Sequence, residues 1–442
     1  MADRQMILGV QMTNGFGNQP GAWRLPGADP SSYVDMDAMV RHAQAAERGK
    51  LQFLFLADTP VLDVDLTHQP TMMPLDPIVV MASIARETSR IGMIATASTT
   101  FNEAYNLARQ FKALDVMSHG RIGWNAVTTS NPAAAENFGA PIPPRAEKYA
   151  RAHEMIQLVE ALWGSWAKDA LIADIESGVY ADASKIQPVN LQGQHVASRG
   201  PLPIPPSEQG QPVIFQAGGG AAGLEIAARY ANGVYANPYD IETSRAHRQA
   251  LRAAAVQAGR GADAVKLFPG LMPTVAATKE EALARRRRLD ESIDLGQRVR
   301  YLGAMIGLPL NGADIDKPVP PAMLKRAVAN RSDPRSEHAL KIARESWTLR
   351  DVIAHGVIDY HPVVADTPEK IADHMQEWFE AGACDGFSLE IDAFHDGIDA
   401  FVDGVVPILQ ERGLFHLDYE GATLRDYLHA APRYGRALLT RP

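Results

Sequence analysis

Polar side chains that could do chemistry follow four short apolar runs of this sequence. Asp58 comes directly after one run, Thr96 to Asn102 end a second, Asn125 to Asn131 end a third, and Gln216 to Gly220 end a fourth. These positions hold mostly hydroxyl and amide groups, with Asp58 as one carboxylate. A neutral polar set of this kind suits an organic cofactor that carries its own reactivity and that the protein orients.

The same positions argue against two common classes of hydrolase. Metal-dependent barrel hydrolases need several His, Asp or Glu side chains at the strand ends, whereas the stretches 63–68 and 395–396 are isolated from other such residues. The sequence also lacks the Gly-x-Ser-x-Gly turn of a serine nucleophile. We therefore expect no catalytic metal and no serine hydrolase.

Apolar runs and helical patterns alternate along the chain. Continuous apolar runs are typical of strands buried on both faces, and strict alternation with helices indicates a parallel sheet. Eight such units in about 400 residues predict an α/β fold of the (β/α)8 TIM barrel type, with a doubly wound open sheet as the alternative. The expected strands are 6–12, 53–57, 91–97, 121–127, 213–217, 233–236, 266–275 and 386–391.

Two segments are too long for a minimal barrel. One spans about 165–211, and the other spans about 295–367. In the second we expect helices at 321–330, 336–345 and 348–355. Loops of this length usually cover a site or build a subunit contact, so both are predicted to be insertions at the C-terminal face of a single domain, 1–442.

Charge and hydropathy exclude several classes of partner. The chain has 43 basic and 52 acidic residues and a net charge of −9, so nothing general attracts it to nucleic acid. Its densest basic run, Arg285 to Arg288, is expected to lie on a solvated helix face. No apolar stretch approaches the ~18 residues that span a membrane, and no signal pattern begins the chain, so we predict a cytoplasmic protein.

The glycine run Gly218 to Gly220 opens a predicted helix directly after a strand. Free backbone N–H groups at a helix N-terminus attract phosphate, although a tight strand-to-helix turn explains the run equally well. The spacing is not that of the dinucleotide-binding fingerprint.

Several stretches of the chain resemble one branch of the bacterial-luciferase superfamily of flavin-dependent monooxygenases. This branch contains nitrilotriacetate monooxygenase component A and dibenzothiophene-sulfone monooxygenase, and the resemblance covers essentially the whole chain. The stretches that carry it are 55–58, 94–109, 120–128, 176–178, 199–202, 212–218 and 419–426.

The resemblance implies a barrel with insertions that works on reduced FMN (FMNH2) and molecular oxygen (O2). It implies a separate NAD(P)H:flavin reductase as the source of reduced FMN, and a homodimer or homotetramer. The expected reaction oxygenates a small organic substrate, with cleavage of a C–S or C–N bond. Two other functions stay open: an F420-dependent oxidoreductase on the same fold, and a non-catalytic flavin-binding protein.

Family positions near the flavin match residues of this chain. Asp58 and Thr96 match positions beside the flavin ring, although a turn cap and a core threonine are the plainer interpretations. Tyr149 matches a tyrosine at the phosphate or ribityl chain, with a helix-surface aromatic as its alternative. Asn125, at the end of the fourth strand, is predicted to be the catalytic residue that hydrogen-bonds the flavin or the bound oxygen.

Two positions depart from the family pattern. Arg145 stands where a histidine is usual, four residues before Tyr149, so the pair should share one helix face and Arg145 should still bind phosphate. Gly220 stands where a serine is usual, so the backbone N–H groups of Gly219 and Gly220 would have to bind the phosphate.

The substrate side is expected to lie between the N-terminal loop and the second insertion. Thr13 to Arg24, Phe53, Phe55, Phe101 and the segment from Leu295 should line it. This composition favours an aromatic or apolar organosulfur or organonitrogen compound over a polycarboxylate.

Overall fold

The computed structural model describes residues 4–62, 64–218 and 220–435. Its strands are β1 (Ile7–Met12), β2 (Phe53–Leu56), β3 (Gly92–Ser98), β4 (Ile122–Val127), β5 (Leu171–Asp174), β6 (Val179–Ala181), β7 (Leu191–Gln192), β8 (Ala197–Ser198), β9 (Val213–Ala217), β10 (Gly233–Ala236), β11 (Lys266–Val275), β12 (Val363–Asp366) and β13 (Gly386–Leu389).

The helices fill the connections between these strands. They are α1 (Met36–Arg48), α2 (Pro77–Glu87), α3 (Ala104–Met117), α4 (Pro132–Asn137), α5 (Arg145–Trp163), α6 (Gly220–Tyr230), α7 (Ile241–Gln257), α8 (Lys279–Glu291), α9 (Leu295–Ile306), α10 (Pro321–Leu324), α11 (Ser336–Arg344), α12 (Leu349–Ala354), α13 (Pro368–Glu380), α14 (Phe394–Ala400), α15 (Val406–Glu411) and α16 (Leu424–Tyr427).

Eight parallel strands close into a barrel, which confirms the predicted (β/α)8 fold. Their order is β1-β2-β3-β4-β9-β10-β11-β13, and β13 pairs with β1 to complete the ring. The ninth strand of the sheet, β12, was not predicted; it pairs with the far half of β11, Met272 to Val275. The long strand β11 therefore extends beyond the barrel and carries the end of the second insertion.

Side-chain alternation divides each barrel strand between two apolar cores. Leu54, Met93 and Trp124 pack outward against the helices, whereas Phe53, Ile94 and Phe215 fill the barrel interior. Because successive side chains of a strand point to opposite faces, the positions two residues beyond these interior ones also point inward. The polar residues near the C-terminal strand ends therefore converge above a sealed apolar floor.

The two long segments have different structures. The first contains two short antiparallel hairpins, β5–β6 and β7–β8. The second contains α9 to α12, which enclose an apolar core of their own.

The helix predicted at 321–330 was too long, because only Pro321–Leu324 is helical. Beyond it the backbone N–H groups of Val328 and Asn330 donate to carbonyls at the end of α9 (3.1 and 2.8 Å), and this tertiary pairing ends the helix.

Candidate functional site

A cavity of about 750 Å³ lies at the C-terminal ends of the barrel strands. Its floor is the apolar interior of the barrel, and its mouth is bordered by the N-terminal loop and by the second insertion. Its lining includes Gln11, Asn18, Gln19, Pro20, Phe55, Asp58, Met72, Met73, Thr96, Ser98, Asn125, Thr129, Phe138, Tyr235, Arg298, Asp359, Tyr360 and His361. The C-terminal end of a barrel is where barrel enzymes hold their chemistry.

The first wall of the cavity is formed by the ends of β2, β3 and β4 and carries three of the predicted residues: Asp58, Thr96 and Asn125. Thr96 and Asn125 face each other in register on adjacent strands, and the Asn125 amide nitrogen donates to the Thr96 hydroxyl at 2.9 Å. The Asn125 Oδ1 atom is buried and has no hydrogen-bond partner among the described residues. The structure thus fixes the amide and leaves its oxygen for a donor.

Asp58 is half-buried at the edge of this wall. Burial, with a smaller contribution from the nearby Asp76, raises the pKa of its carboxyl to about 6. Asp58 and Thr96 also line a second cavity of about 750 Å³, which opens beside the first between α2 and the loop before it. They therefore stand at the junction of two chambers.

Three further predicted residues form a separate group beside the cavity. Arg145 and Tyr149 occupy one face at the start of α5, with the guanidinium carbon 5.2 Å from the tyrosine ring centre, as their spacing predicted. Gly220 begins α6 with φ +79°, a conformation that a side chain would strain. A Cβ atom there would lie 3.7 Å from Arg145 Nη2. Gly219, predicted beside it, lies outside the described residues.

This group joins the cavity through Lys148. Its ammonium donates to the carbonyl of Thr129, a residue of the cavity lining, at 3.0 Å. Burial and the neighbouring Arg145 lower the pKa of Lys148. Arg145, with Lys148 near it on α5, thus lies beside the N-terminus of the 11-residue helix α6, an arrangement that suits a phosphate.

The second wall of the cavity was missed by the sequence analysis. It is formed by Tyr235 of β10 and by residues of the second insertion that include Arg298, Asp359 and His361. Glu390, directly after β13, is buried behind this wall and bonds to the Tyr235 hydroxyl. The signal was present in the sequence, because Glu390 interrupts an apolar run that was predicted to be a buried strand. The expectation that the strand ends carry one carboxylate was therefore too narrow.

Asp359 of the second wall is held by two arginines in the protein interior. Arg298 lies 2.7 Å from one carboxylate oxygen, and Arg286 of α8 pairs with the other. Although burial opposes ionisation, these guanidinium groups hold the pKa of Asp359 below its usual value. Arg335 also donates to the backbone carbonyls of Ile358 and Asp359, so the segment that ends at His361 is firmly positioned.

The prediction that Arg285 to Arg288 form a solvated helix face was wrong. Arg286 is 0% exposed, and Arg285 binds Asp392 at 2.9 Å in a largely buried pair. Arg288 remains exposed. The carboxylates that bind these arginines come from segments 70 to 110 residues away in the sequence, so local charge patterning could not reveal them.

The predicted substrate side is only partly correct. Phe55, the loop residues Asn18 to Pro20 and the second insertion line the cavity. Phe53 does not, because it is sealed in the barrel floor between Phe215 and Phe268. Phe101 stacks on Phe138 with ring centres 5.0 Å apart and supports the lining from behind.

Among residues 4–62, 64–218 and 220–435, no three His, Cys, Asp or Glu side chains are grouped in a way that could hold a metal ion. Within the same part of the chain, no helix combines the length and the apolar character needed to cross a membrane.

Comparison with known proteins identifies the family of this chain. The model of the luciferase-like monooxygenases matches residues 19–385. N-acetyl-S-(2-succino)cysteine monooxygenase of Bacillus subtilis (strain 168) is 37% identical over 432 residues, which cover 96% of each chain. Nitrilotriacetate monooxygenase component A of Aminobacter aminovorans is 35% identical and covers 97% of each chain.

Solved structures agree with the sequence comparisons. EDTA monooxygenase from Chelativorans sp. BNC1 superposes with a TM-score of 0.83 at 31% identity, over 97% of this chain and 100% of that one. A riboflavin lyase, solved with modified FMN and riboflavin, superposes with a TM-score of 0.77 at 31% identity, over 96% of each chain. An F420-dependent secondary alcohol dehydrogenase shares the fold alone, at 14% identity and a TM-score of 0.56 over 90% of this chain and 98% of that one.

Proposed function

This chain belongs to the luciferase-like monooxygenase family and is a flavin-dependent monooxygenase, and on that basis we propose that it uses reduced FMN and molecular oxygen. A separate NAD(P)H-dependent flavin reductase would supply the reduced FMN, in keeping with the name "component A" of one relative. The substrate class that we propose is a small organosulfur or organonitrogen compound, with cleavage of a C–S or C–N bond. We also propose that the chain works as a homodimer or homotetramer.

The unpartnered Asn125 oxygen on the first wall of the cavity is the observation that carries this proposal. A buried polar atom without a partner costs roughly 1–3 kcal/mol, so the site is completed by a ligand that donates a hydrogen bond there. The N–H groups of a reduced flavin ring are donors of this kind. Thr96 fixes the amide through the 2.9 Å hydrogen bond, which keeps the oxygen directed at the ligand.

The basic group beside the cavity would hold the other end of the cofactor. Arg145 provides a permanent charge and two parallel donors for a phosphate, and Tyr149 packs against it. The backbone N–H groups at Gly219 and Gly220 would replace the serine hydroxyl of the family pattern. When bound, the flavin supplies the redox chemistry, and the protein binds and orients it.

The substrate would occupy the space between the two walls. Phe55, Met72, Met73 and Phe138 give apolar surface there, whereas Arg298 and His361 give polar contacts on the second wall. This mixed lining suits a compound with an apolar body and one polar group. N-acetyl-S-(2-succino)cysteine and nitrilotriacetate, after which two relatives are named, are suitable first probes for sulfur and nitrogen substrates.

The experiment that tests the proposal is an anaerobic titration of the flavin-free protein with reduced FMN, followed by reaction with ¹⁸O2 in the presence of each probe. We expect saturable binding of reduced FMN and one ¹⁸O atom in the product. Asn125→Ala should weaken binding about tenfold and slow product formation about 100-fold, because the unpartnered oxygen is removed.

The matched control is Asn311→Ala, at an exposed position of the second insertion, which should behave as the wild type does. Failure of the wild-type protein to bind reduced FMN would refute the proposal. An Asn125→Ala variant with wild-type affinity and rate would refute the role of Asn125 alone.

A further inference from the structure

We propose that Glu390, Tyr235 and His361 form a proton relay from the closed interior of the barrel to the cavity, with His361 as the group that faces the substrate. This inference rests on the proposed monooxygenase function. It gives a role to the buried carboxyl of Glu390, which takes no part in the proposed binding of the cofactor at the first wall.

Strand alternation places Glu390 inside the barrel. Phe387 and Leu389 of β13 pack outward against the helices, so Ser388 and Glu390 point inward. Glu390 is fully buried, and its Oε2 atom has no hydrogen-bond partner among the described residues. A carboxyl placed so deeply, with no arginine or lysine of the described residues paired with it, is not explained as a structural ion pair.

Tyr235 connects this acid to the cavity. Its hydroxyl lies 3.1 Å from Glu390 Oε1 and 3.0 Å from His361 Nδ1, whereas Glu390 Oε1 and His361 Nδ1 are 3.7 Å apart. The hydroxyl is therefore the bridge between the two groups. The ring of Tyr235 stacks on Phe55, with centres 5.8 Å apart, which fixes its position.

A glycine on the neighbouring strand leaves room for this convergence. A Cβ atom at Gly270 would lie 2.8 Å from the Tyr235 hydroxyl and 3.0 Å from His361 Nδ1. Any side chain there would push the tyrosine and histidine apart. Strand β11 thus supplies a gap at the level where the three groups meet.

All three groups are uncharged at neutral pH. Burial raises the pKa of Glu390 to about 8 and lowers the pKa of His361 to about 4. Burial, and then the adjacent Glu390, raises the pKa of Tyr235 well above its usual value. Glu390 therefore holds a proton that it can give up near neutral pH.

The surroundings contain few other charges. On the two strands beside β13, Gly9 of β1 and Gly270 of β11 both pair with Ser388, the inward position before Glu390, and neither carries a side chain. Beside Tyr235 lie the neutral side chains of Asn237 and Tyr360. Asp359 lies beyond His361 and is neutralised by Arg286 and Arg298, and Asp392, two residues after Glu390, is neutralised by Arg285.

The proton balance of the relay is simple. Glu390 donates its proton to the Tyr235 oxygen while the Tyr235 hydroxyl proton passes to His361 Nδ1, and the proton on His361 Nε2 leaves into the cavity. Glu390 is left as a carboxylate, and a solvent proton that enters from the cavity at His361 Nε2 restores it by the reverse path, from His361 Nδ1 to the Tyr235 oxygen and from the Tyr235 hydroxyl to Glu390. When bound, reduced flavin would supply the two electrons, and O2 would supply the oxygen atoms of the product and of the water. The relay would supply one proton of that water and the flavin the other, while the second proton of FMNH2 would pass to solvent.

The test uses Glu390→Gln and Tyr235→Phe, which keep the shapes of the side chains. The control is Tyr427→Phe, at a buried tyrosine in α16 at the opposite end of the barrel. Infrared difference titration of the flavin-free protein should show a protonated carboxyl band lost with a midpoint near pH 8. The band should be absent from Glu390→Gln and unchanged in Tyr427→Phe.

Single-turnover product formation gives the second measurement. Both relay variants should slow it about 10- to 100-fold at pH 7 and leave the Kd for reduced FMN unchanged. The wild-type rate should fall above about pH 8, whereas the rate of Glu390→Gln should lose this dependence.

A carboxyl band that titrates near about pH 4.3, the value of an exposed glutamate, would overturn the relay. So would relay variants with the wild-type rate and pH profile. If neither the wild-type protein nor Tyr427→Phe forms product, the proposed monooxygenase function is wrong, and that result is distinct from a failure of the relay.

Discussion

The two walls of the cavity are built by different physical means. The first wall takes its polar groups from the ends of consecutive strands, and Asn125 and Thr96 bond to each other directly across the sheet register. The second wall brings Tyr235 and His361 together, with Glu390 buried behind them, from three distant parts of the chain. It depends on the buried ion pairs around Asp359 to stay in place. The first wall is thus specified by strand register, whereas the second wall also requires a segment of the second insertion to pack against the barrel.

The largest expected effect is on the buried ion pair between Arg286 and Asp359, which holds the second wall in place. Arg286→Met leaves the buried Asp359 carboxylate without one of its two partners, so the free energy of unfolding should fall by about 3–5 kcal/mol. Chemical denaturation measures this directly. Arg288→Ala, at an exposed site on the same helix, should change stability by less than about 0.5 kcal/mol. Equal losses in the two variants would contradict the view that burial makes the difference.

The pH dependence of the free energy of unfolding should also differ between variants of Glu390, behind the second wall, and of Asp58, on the first wall. Glu390 binds a proton in the folded protein up to about pH 8, whereas in the unfolded chain it loses that proton near about pH 4.3. Its contribution to stability is therefore fully present below about pH 4.3 and is lost as the pH rises to about 8. Because glutamine does not ionise, Glu390→Gln should not lose stability over this pH range.

The variant should gain on the order of 2 kcal/mol relative to the wild type between about pH 6 and about pH 8, as measured by urea denaturation at several pH values. The Asp58 carboxyl, on the first wall, titrates over a narrower pH range because its pKa in the folded protein is about 6. The stability that Asp58→Asn gains relative to the wild type should therefore be smaller, and the gain should end near pH 6. A Glu390→Gln difference that does not change with pH would show that the buried acid does not titrate.

The smallest effect is expected within the first wall. Thr96→Val keeps the shape of the side chain but removes the hydroxyl that accepts from Asn125 Nδ2. The loss of one neutral hydrogen bond should lower the free energy of unfolding by about 1 kcal/mol, and the freed amide should slow product formation less than Asn125→Ala does. If Thr96→Val slows the reaction as much as Asn125→Ala, then Thr96 itself contacts the ligand.

Local patterning was enough to predict the barrel and the first wall. Continuous apolar runs marked the eight strands. A parallel barrel brings all its strand ends to one face, which predicted Asn125 and the stretch that begins at Thr96 as parts of one site; the family resemblance then pointed to Thr96 itself. The i, i+4 spacing of Arg145 and Tyr149 likewise predicted their contact.

The second wall depends on contacts that are remote in sequence. Glu390 and Tyr235 are 155 residues apart, and Arg286 and Asp359 are 73 apart, so neither pairing leaves a periodic signal. Secondary structure is decided largely by neighbours three or four positions away, which the sequence displays. Whether a buried charge is neutralised, and whether an acid keeps its proton, depends on which distant groups the closed barrel brings beside it, and that was decided by the tertiary structure alone.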